Sequence, residues 1–210
     1  MPCIGEDPGG LAGHPDRERW NARYAERRGA EFEPHRLAVQ ALAQPLPDGP
    51  AADLACGPSG TALLAAAAGR QVTAVDISDV ALALLAAEAG RRGLTELITL
   101  VQADLPAWRP ERGRYALVLC TGYWDRSVFG AAARAVAAGG LLGWESLTAE
   151  ARQLRPGLCA DWCLQPGEPA TLLPAGFTVL ESLELPGHQH LPRRSLLARR
   201  EGAAAPGTPG

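Results

Sequence analysis

Short apolar runs alternate with amphipathic or Ala-rich segments over most of the chain. The apolar runs predict five strands, which are 51–56, 71–76, 97–102, 115–120 and 141–145. The other segments predict five helices, which are 16–28, 34–43, 61–68, 79–92 and 125–138. Strands that alternate with helices in this way are typical of an α/β fold, with a parallel sheet covered by helices on both faces.

The pattern changes after residue 146. Residues 177–185 and 195–200 predict two more strands, and a Pro/Gly/His-rich loop joins them. Because consecutive strands with a short connection pair antiparallel, the chain is expected to finish in a hairpin. The sequence therefore predicts a doubly wound, mostly parallel sheet with an antiparallel end.

Composition and charge indicate the domain bounds, the class of partner and the cellular compartment. Residues 1–15 and 202–210 are rich in Gly, Pro or Ala and are expected to be flexible, which leaves 16–201 as one domain. The formal net charge is -3, so nothing in the overall charge favours nucleic acid as a partner. No apolar run is long enough for a membrane span. Five irregularly spaced cysteines without an apolar leader indicate reduced thiols and a cytoplasmic protein.

Carboxylates and small residues follow three of the predicted strands. The sequence DLACGPSG begins at Asp53, and its Ala55 and Gly57 allow a ligand to approach the backbone closely. Asp76 ends the second strand, and Asp104 follows the third. Ligands of doubly wound sheets bind at the carboxyl ends of the strands. A carboxylate at Asp76 can accept hydrogen bonds from ribose hydroxyls, and one at Asp104 can accept from an adenine amine, so the sequence predicts a nucleoside site.

The segments DLACGPSG, VDIS, ADL, YALVLC and GGLLGWES resemble the class I SAM-dependent methyltransferases, where SAM is S-adenosylmethionine. The pattern WxxRYxxR, which begins at Trp20, is similar to the opening helix of the small bacterial tellurite-resistance and thiopurine-methyltransferase-like group. The resemblance covers about residues 16–200. It departs from the family in one place, because the usual GxGxG is replaced by Ala55-Cys-Gly57-Pro-Ser59.

This resemblance implies a Rossmann-like, seven-stranded sheet in the order 3-2-1-4-5-7-6, with the last strand antiparallel. It also implies SAM as the cofactor and an opening helix that covers it. The cofactor contacts implied are Trp20, Tyr24, Asp53, Ala55, Gly57, Asp76, Ile77, Asp104, Leu105 and Cys120.

Two other functions remain open from the sequence. In a nicotinamide-dependent oxidoreductase, G-x-G-x-x-G would map onto Ala55, Gly57 and Gly60, with two of three glycines present. Asp53 inside the first strand argues against it, and the complete absence of Lys excludes a Tyr-x-x-x-Lys site. The other possibility is a domain that binds SAM without catalysis.

The candidates for catalysis lie after the fourth predicted strand and at the end of the fifth. Methyl transfer requires an aligned acceptor, and a base only where a proton must leave early. Tyr123 is a candidate for packing on the acceptor, Arg126 for holding an anionic one, and Glu145 for contacting the substrate or a neighbouring Arg. Each also has a structural interpretation, in core packing, a solvated helix start or an ion pair.

Residues 149–174 are expected to shape the acceptor pocket. We expect a small, partly apolar acceptor bounded by Trp124, Trp162 and the opening helix, in a monomer or homodimer. No Asn-Pro-Pro-Tyr sequence is present, which disfavours methylation of nucleic-acid bases. His188 and His190 are interpreted as part of a surface loop, and no metal site is predicted.

Overall fold

The computed structural model describes residues 10–26, 32–185 and 191–202. Its centre is a seven-stranded sheet in the order β3-β2-β1-β4-β5-β7-β6. The strands are β1 Ala51–Leu54, β2 Val72–Asp76, β3 Ile98–Gln102, β4 Tyr115–Thr121, β5 Val136–Leu147, β6 Phe177–Leu185 and β7 Arg193–Arg200. The helices are α1 Pro15–Ala25, α2 Arg36–Leu42, α3 Gly60–Ala67, α4 Asp79–Arg91, α5 Arg126–Ala135 and α6 Ala151–Leu154.

The pairing confirms the predicted topology. β1 pairs in parallel with both β2 and β4, β2 with β3, and β4 with β5. β7 runs antiparallel to β5 on one side and to β6 on the other. The sheet therefore has the expected order and an antiparallel last strand.

Each face of the sheet buries its own hydrophobic core. One core joins α2, α3 and α4 to the sheet and includes Leu37, Leu63 and Leu85. The other joins α5 to the opposite face, where Phe129 and Trp144 meet with ring centroids 5.2 Å apart. β1 and most of β4 are buried, since these central strands are covered on both faces.

The largest difference from prediction is the boundary between α5 and β5. The helix was expected to continue to residue 138, but it ends at Ala135 and β5 begins directly at Val136. Val136 pairs with Tyr115, and a register irregularity separates this pair from the regular pairing that follows. A Cβ at Gly140 would lie 2.8 Å from the Ala116 carbonyl oxygen, so glycine permits close approach of the two strands rather than ending the helix.

Smaller differences concern the first helix and the ends of the chain. The sequence predicts a helix that begins after Asp16 as its cap, but α1 begins at Pro15 and His14 caps it, because the His14 Nδ1 accepts from the Asp16 N–H at 3.2 Å. Residues 1–9 and 203–210, which carry most of the predicted flexible ends, lie outside the described residues, as does the segment with His188 and His190. In the part of the chain that is described, no helix is both long and apolar enough to cross a bilayer.

Candidate active site

The carboxyl ends of the parallel strands open into a cavity of about 870 Å³, here called the central cavity. Its walls come from α1, the segments after β1 to β5, and the start of β7. Eight residues predicted for the site line it: Trp20, Tyr24, Ala55, Asp76, Ile77, Asp104, Leu105 and Tyr123. Five others do not: Asp53, Gly57, Cys120, Arg126 and Glu145.

Asp76 is fixed at the tip of β2 by the backbone of two neighbouring turns. Its Oδ2 accepts from the Gly57 N–H and its Oδ1 from the Ser78 N–H, both at 2.8 Å. Burial raises the pKa of this carboxyl, and the backbone donors oppose the rise. Each oxygen keeps acceptor capacity beyond one bond, so the carboxyl can still accept hydrogen bonds from the cavity that it lines.

The turn between β1 and α3 brings backbone close to the cavity. Ala55 has a φ of +48°, a conformation that residues other than Gly, Asn and Asp seldom adopt. Gly57 has a φ of +58°, and a Cβ there would lie 2.8 Å from the Tyr24 hydroxyl. The tyrosine of α1 therefore covers Gly57, and a larger side chain at this position would displace it.

Asp53 lies behind this turn rather than in the cavity. It is buried, and the Ser59 hydroxyl donates to it while accepting from the Ala62 N–H at 2.9 Å at the start of α3. Burial raises the pKa of Asp53 to about 7, against the effect of the Ser59 hydrogen bond, and the charge of Asp76 adds to the rise. Asp53 thus supports the turn.

Helix α1 lies along one wall of the cavity and is attached by polar contacts. Asn21 donates to the Asp79 carboxylate at 2.8 Å and accepts from the Ser78 hydroxyl at 2.6 Å, at the start of α4. On the cavity side, Trp20 and Tyr24 stack with ring centroids 5.7 Å apart. Since α1 has no buried residue, these contacts hold it in place.

At the tip of β3, Asp104 and Leu105 line the cavity next to Ile77. The Asp104 carboxylate lies 3.9 Å from the His14 Nε2. Partial burial raises the pKa of Asp104, and His14 opposes the rise. The carboxylates predicted at two neighbouring strand tips, Asp76 and Asp104, therefore do face one cavity.

The candidates predicted for catalysis occupy different environments. Tyr123 lines the cavity, but burial and the nearby charges of Asp125 and Asp104 raise the pKa of its phenol far above the usual range, so it stays protonated. Arg126 forms a two-pronged ion pair with Glu168, with distances of 2.8 and 3.0 Å, and does not reach the cavity.

Glu145 and Cys120 lie behind the cavity wall. Glu145 is 4% exposed and contacts the His35 Nε2 at 3.3 Å and the Arg193 guanidinium at 3.7 Å. Cys120 is fully buried, and its thiol points toward the Tyr123 carbonyl oxygen at 3.9 Å. Both are placed to support the cavity wall.

The structure adds cavity residues that sequence reasoning missed. Four arginines line the cavity: Arg19, Arg23, Arg155 and Arg193. Arg19 and Arg23 share a helix face with Trp20, a spacing that the sequence did display. Arg155 and Arg193 follow no motif, and only the fold brings them together. Among the described residues, no group of three or more His, Cys, Asp or Glu side chains forms a metal site.

Comparison with known proteins gives one family and several structural relatives. Residues 51–140 match the family described as "Methyltransferase domain". A sequence comparison with curated proteins found no match.

Solved structures resemble the fold over most of its length. TehB from Haemophilus influenzae is 16% identical, with a TM-score of 0.66 over 88% of this chain and 67% of that chain. Magnesium protoporphyrin IX methyltransferase from Synechocystis PCC 6803, solved with bound S-adenosylhomocysteine (SAH), is 15% identical, with a TM-score of 0.68 over 89% and 98%. Geranyl diphosphate C-methyltransferase from Streptomyces coelicolor A3(2) is 11% identical, with a TM-score of 0.67 over 89% and 98%. At such identities the structural likeness shows the fold.

Proposed function

We propose that this chain, in which residues 51–140 match a methyltransferase domain, is a class I SAM-dependent methyltransferase that methylates a small molecule bound in the central cavity. The observation that carries the proposal is the continuity of this cavity. One cavity is lined both by the strand tips at Asp76 and Asp104 and by Tyr123 and Trp162. Cofactor and acceptor can therefore bind side by side.

The strand-tip half of the cavity fits the nucleoside of SAM. Asp76 would accept hydrogen bonds from the ribose hydroxyls, and Asp104 would accept from the adenine amine. The apolar side chains of Ile77 and Leu105 would lie against the base. Trp20 and Tyr24 of α1 would cover the cofactor, while Ala55 and Gly57 keep the backbone of the first turn close to it.

The other half fits a small acceptor. The whole cavity, which cofactor and acceptor would share, has a volume of about 870 Å³. This volume lies within the roughly 300–1,000 Å³ of ordinary ligand sites. The Arg19 guanidinium lies 5.1 Å from the Trp162 ring centroid, so α1 and the segment after β5 touch and narrow the cavity. Two of the structural relatives are named for small molecules, geranyl diphosphate and magnesium protoporphyrin IX, which agrees with this size.

In the proposed reaction, the residues of the chain have to position the acceptor rather than activate the methyl group. SAM, when bound, supplies a methyl group already activated by its sulfonium. The residues of the chain then bind the acceptor, align it and keep water out. Tyr123 stays protonated, so it can donate a hydrogen bond or pack on the acceptor, and it does not serve as a base.

The test uses the substitution Asp76→Ala on the purified full-length protein, with SAH binding measured by isothermal titration. Loss of hydrogen bonds to a charged group is expected to weaken SAH binding roughly tenfold to a hundredfold. Asp76→Asn, which keeps one acceptor oxygen for the turn, should show a smaller loss, and Asp48→Ala at an exposed position should show none.

Each alternative predicts a different result, which two further measurements detect. Binding of NADH without SAH would indicate the oxidoreductase. Tight SAH binding with no turnover of SAM in the presence of cell extract would indicate a binding domain without catalysis. An Asp76→Ala protein that is folded, by circular dichroism, and keeps full SAH affinity would contradict the ribose assignment.

A further inference from the structure

We infer that the acceptor is a small organic anion, whose carboxylate or phosphate group binds Arg155 and Arg193 and whose body packs on apolar side chains. This inference rests on the proposed methyltransferase function, and it begins with the distribution of charge in the central cavity. All three lining carboxylates, Asp16, Asp76 and Asp104, lie on α1 or at the tips of β2 and β3. Among the described residues beyond β4, the lining has no carboxylate, and its charged groups are the two arginines.

Arg193 is positioned next to the end of β4. One of its terminal nitrogens lies 4.0 Å from the point that a Cβ of Gly122 would occupy. The buried Glu145 carboxylate lies 3.7 Å from the guanidinium and holds it there. A guanidinium has five N–H donors, so one long ion pair leaves most of them for a ligand.

Glu145 is itself fixed from the far side. The His35 Nδ1 accepts from the Leu37 N–H at 3.2 Å, so the ring proton is on Nε2, which donates to Glu145 at 3.3 Å. Glu145 is therefore a positioning residue for Arg193, held between His35 and the guanidinium.

Arg155 supplies the second cation. It follows α6, lines the cavity, and in the described ranges its guanidinium has neither an ion pair nor a hydrogen bond. Two nearby arginines outside the cavity are occupied, Arg126 by Glu168 and Arg194 by Glu184. Two cations without a full complement of partners in the lining of one cavity favour an anionic ligand there.

The remaining surface of this end is apolar and aromatic. Trp124, Leu158, Trp162 and Leu147 line it beside the arginines. Trp162 is 47% exposed, although large apolar side chains are usually buried, and it faces the cavity. A ligand with both an anionic group and an aromatic or apolar body would satisfy the arginines and cover this surface.

The experiment is a titration of the full-length protein, first with SAH and then, at saturating SAH, with three probes. The probes are 4-hydroxybenzoate, phenyl phosphate and the neutral 4-hydroxybenzamide. We expect at least one anion to bind ten times more tightly than the amide, and the tighter anion identifies the head group. Arg155→Gln and Arg193→Gln should each weaken anion binding at least tenfold and leave SAH affinity within twofold. Arg112→Gln, exposed and outside the cavity, is the matched control and should change nothing.

Several results would overturn the inference. Equal binding of anion and amide, no binding of either anion, or unchanged anion binding in both variants would each contradict it. A loss of SAH affinity in Arg193→Gln would assign that arginine to the cofactor instead. Arg155 is exposed, so its variant is not expected to disturb folding and separates these outcomes from a structural defect. In all of them SAH still binds the wild-type protein, whereas failure of the proposed function would remove SAH binding itself.

Discussion

Asp53 shows how one residue of the first motif acts on stability rather than on ligand contact. Its position in the middle of β1 places its side chain against α3, where the Ser59 hydroxyl donates to it. A carboxyl without water prefers its neutral form, which raises the pKa of Asp53 to about 7. Near neutral pH the folded protein therefore ionises a group that it has buried.

This burial predicts a pH dependence for the free energy of unfolding. The unfolded chain ionises Asp53 near its ordinary value of 3.8 and the folded chain only near 7, so the folded state binds the extra proton between these values. The contribution of Asp53 to stability is present below about pH 4 and is lost as the pH rises through 7. The effect between pH 5 and pH 8 is roughly 2–3 kcal/mol.

Asp53→Asn removes this titration and is close in shape. The free energy of unfolding should be measured with urea at pH 5 and at pH 8. The Asp53 contribution of roughly 2–3 kcal/mol that wild type loses between these pH values should not be lost by the variant. The same substitution at exposed Asp48 controls for the loss of one carboxylate. Curves for Asp53→Asn and wild type that run parallel between the two pH values would contradict the prediction.

At the scale of single residues, the sequence predicts placement at strand tips better than it predicts partners. Asp76 and Asp104 follow strands whose ends must meet at one edge of a parallel sheet, so their shared cavity follows from topology. Arg126 pairs with Glu168, 42 residues away, and Glu145 with His35, 110 residues away. Such pairs depend on the folded geometry of distant loops, which hydrophobic periodicity does not contain.

Among the elements, α1 is the one whose attachment differs most from the rest. The other long helices bury apolar faces against the sheet, whereas no residue of α1 is buried. Arg17 and Asn21 both bond Asp79, and Asn21 also bonds Ser78. A helix held by a few polar contacts opens at lower free energy than the core, as a cover over a ligand site must.

We predict that Asn21→Ala loosens α1 alone. Loss of two side-chain hydrogen bonds, partly offset by the better helix propensity of Ala, costs about 1 kcal/mol. Amide hydrogens of α1 should then exchange about fivefold faster, while the global melting temperature changes by less than about 2 °C. Glu18→Ala, on the exposed side of the same helix, is the control. Equal acceleration of exchange throughout the protein would show that α1 is part of the cooperative core.

Element boundaries were predicted well where a cap is visible and poorly where none is. The sequence predicts a helix from residue 79 with Ser78 as its cap, and Ser78 does cap α4 by accepting from the Ala81 N–H. The sequence shows no cap at the junction of α5 with β5, and Gly139-Gly140 after the predicted helix 125–138 is typical of a helix end. In the structure, Gly140 instead permits close approach of two strands. Glycine is suited both to a helix end and to a close approach of two strands, so only the neighbouring backbone in the folded structure distinguishes the two roles.

For the molecule as a whole, the sheet separates two cores that share every central strand. Consecutive residues of β4 show this, because Leu117 belongs to the core under α2 and α3 and Val118 to the core under α5. The two cores are therefore connected through one layer of backbone hydrogen bonds. We propose that residues 16–201 unfold as one cooperative unit.

Leu63→Ala tests this cooperativity across the sheet. Leu63 is fully buried in the core on the α3 side, while Trp124 and Trp144 report from the core on the opposite face. Truncation is expected to cost about 2–5 kcal/mol and to lower the melting temperature by about 10 °C for a chain of this size. Because the cores share their strands, the transitions followed by tryptophan fluorescence and by far-ultraviolet circular dichroism should shift together.

Val39→Ala removes the same kind of apolar contact from an exposed site and should shift neither transition by more than about 2 °C. If only the circular dichroism transition moved, the two faces would be folding units of their own, and the sheet would be a boundary between them rather than a shared centre.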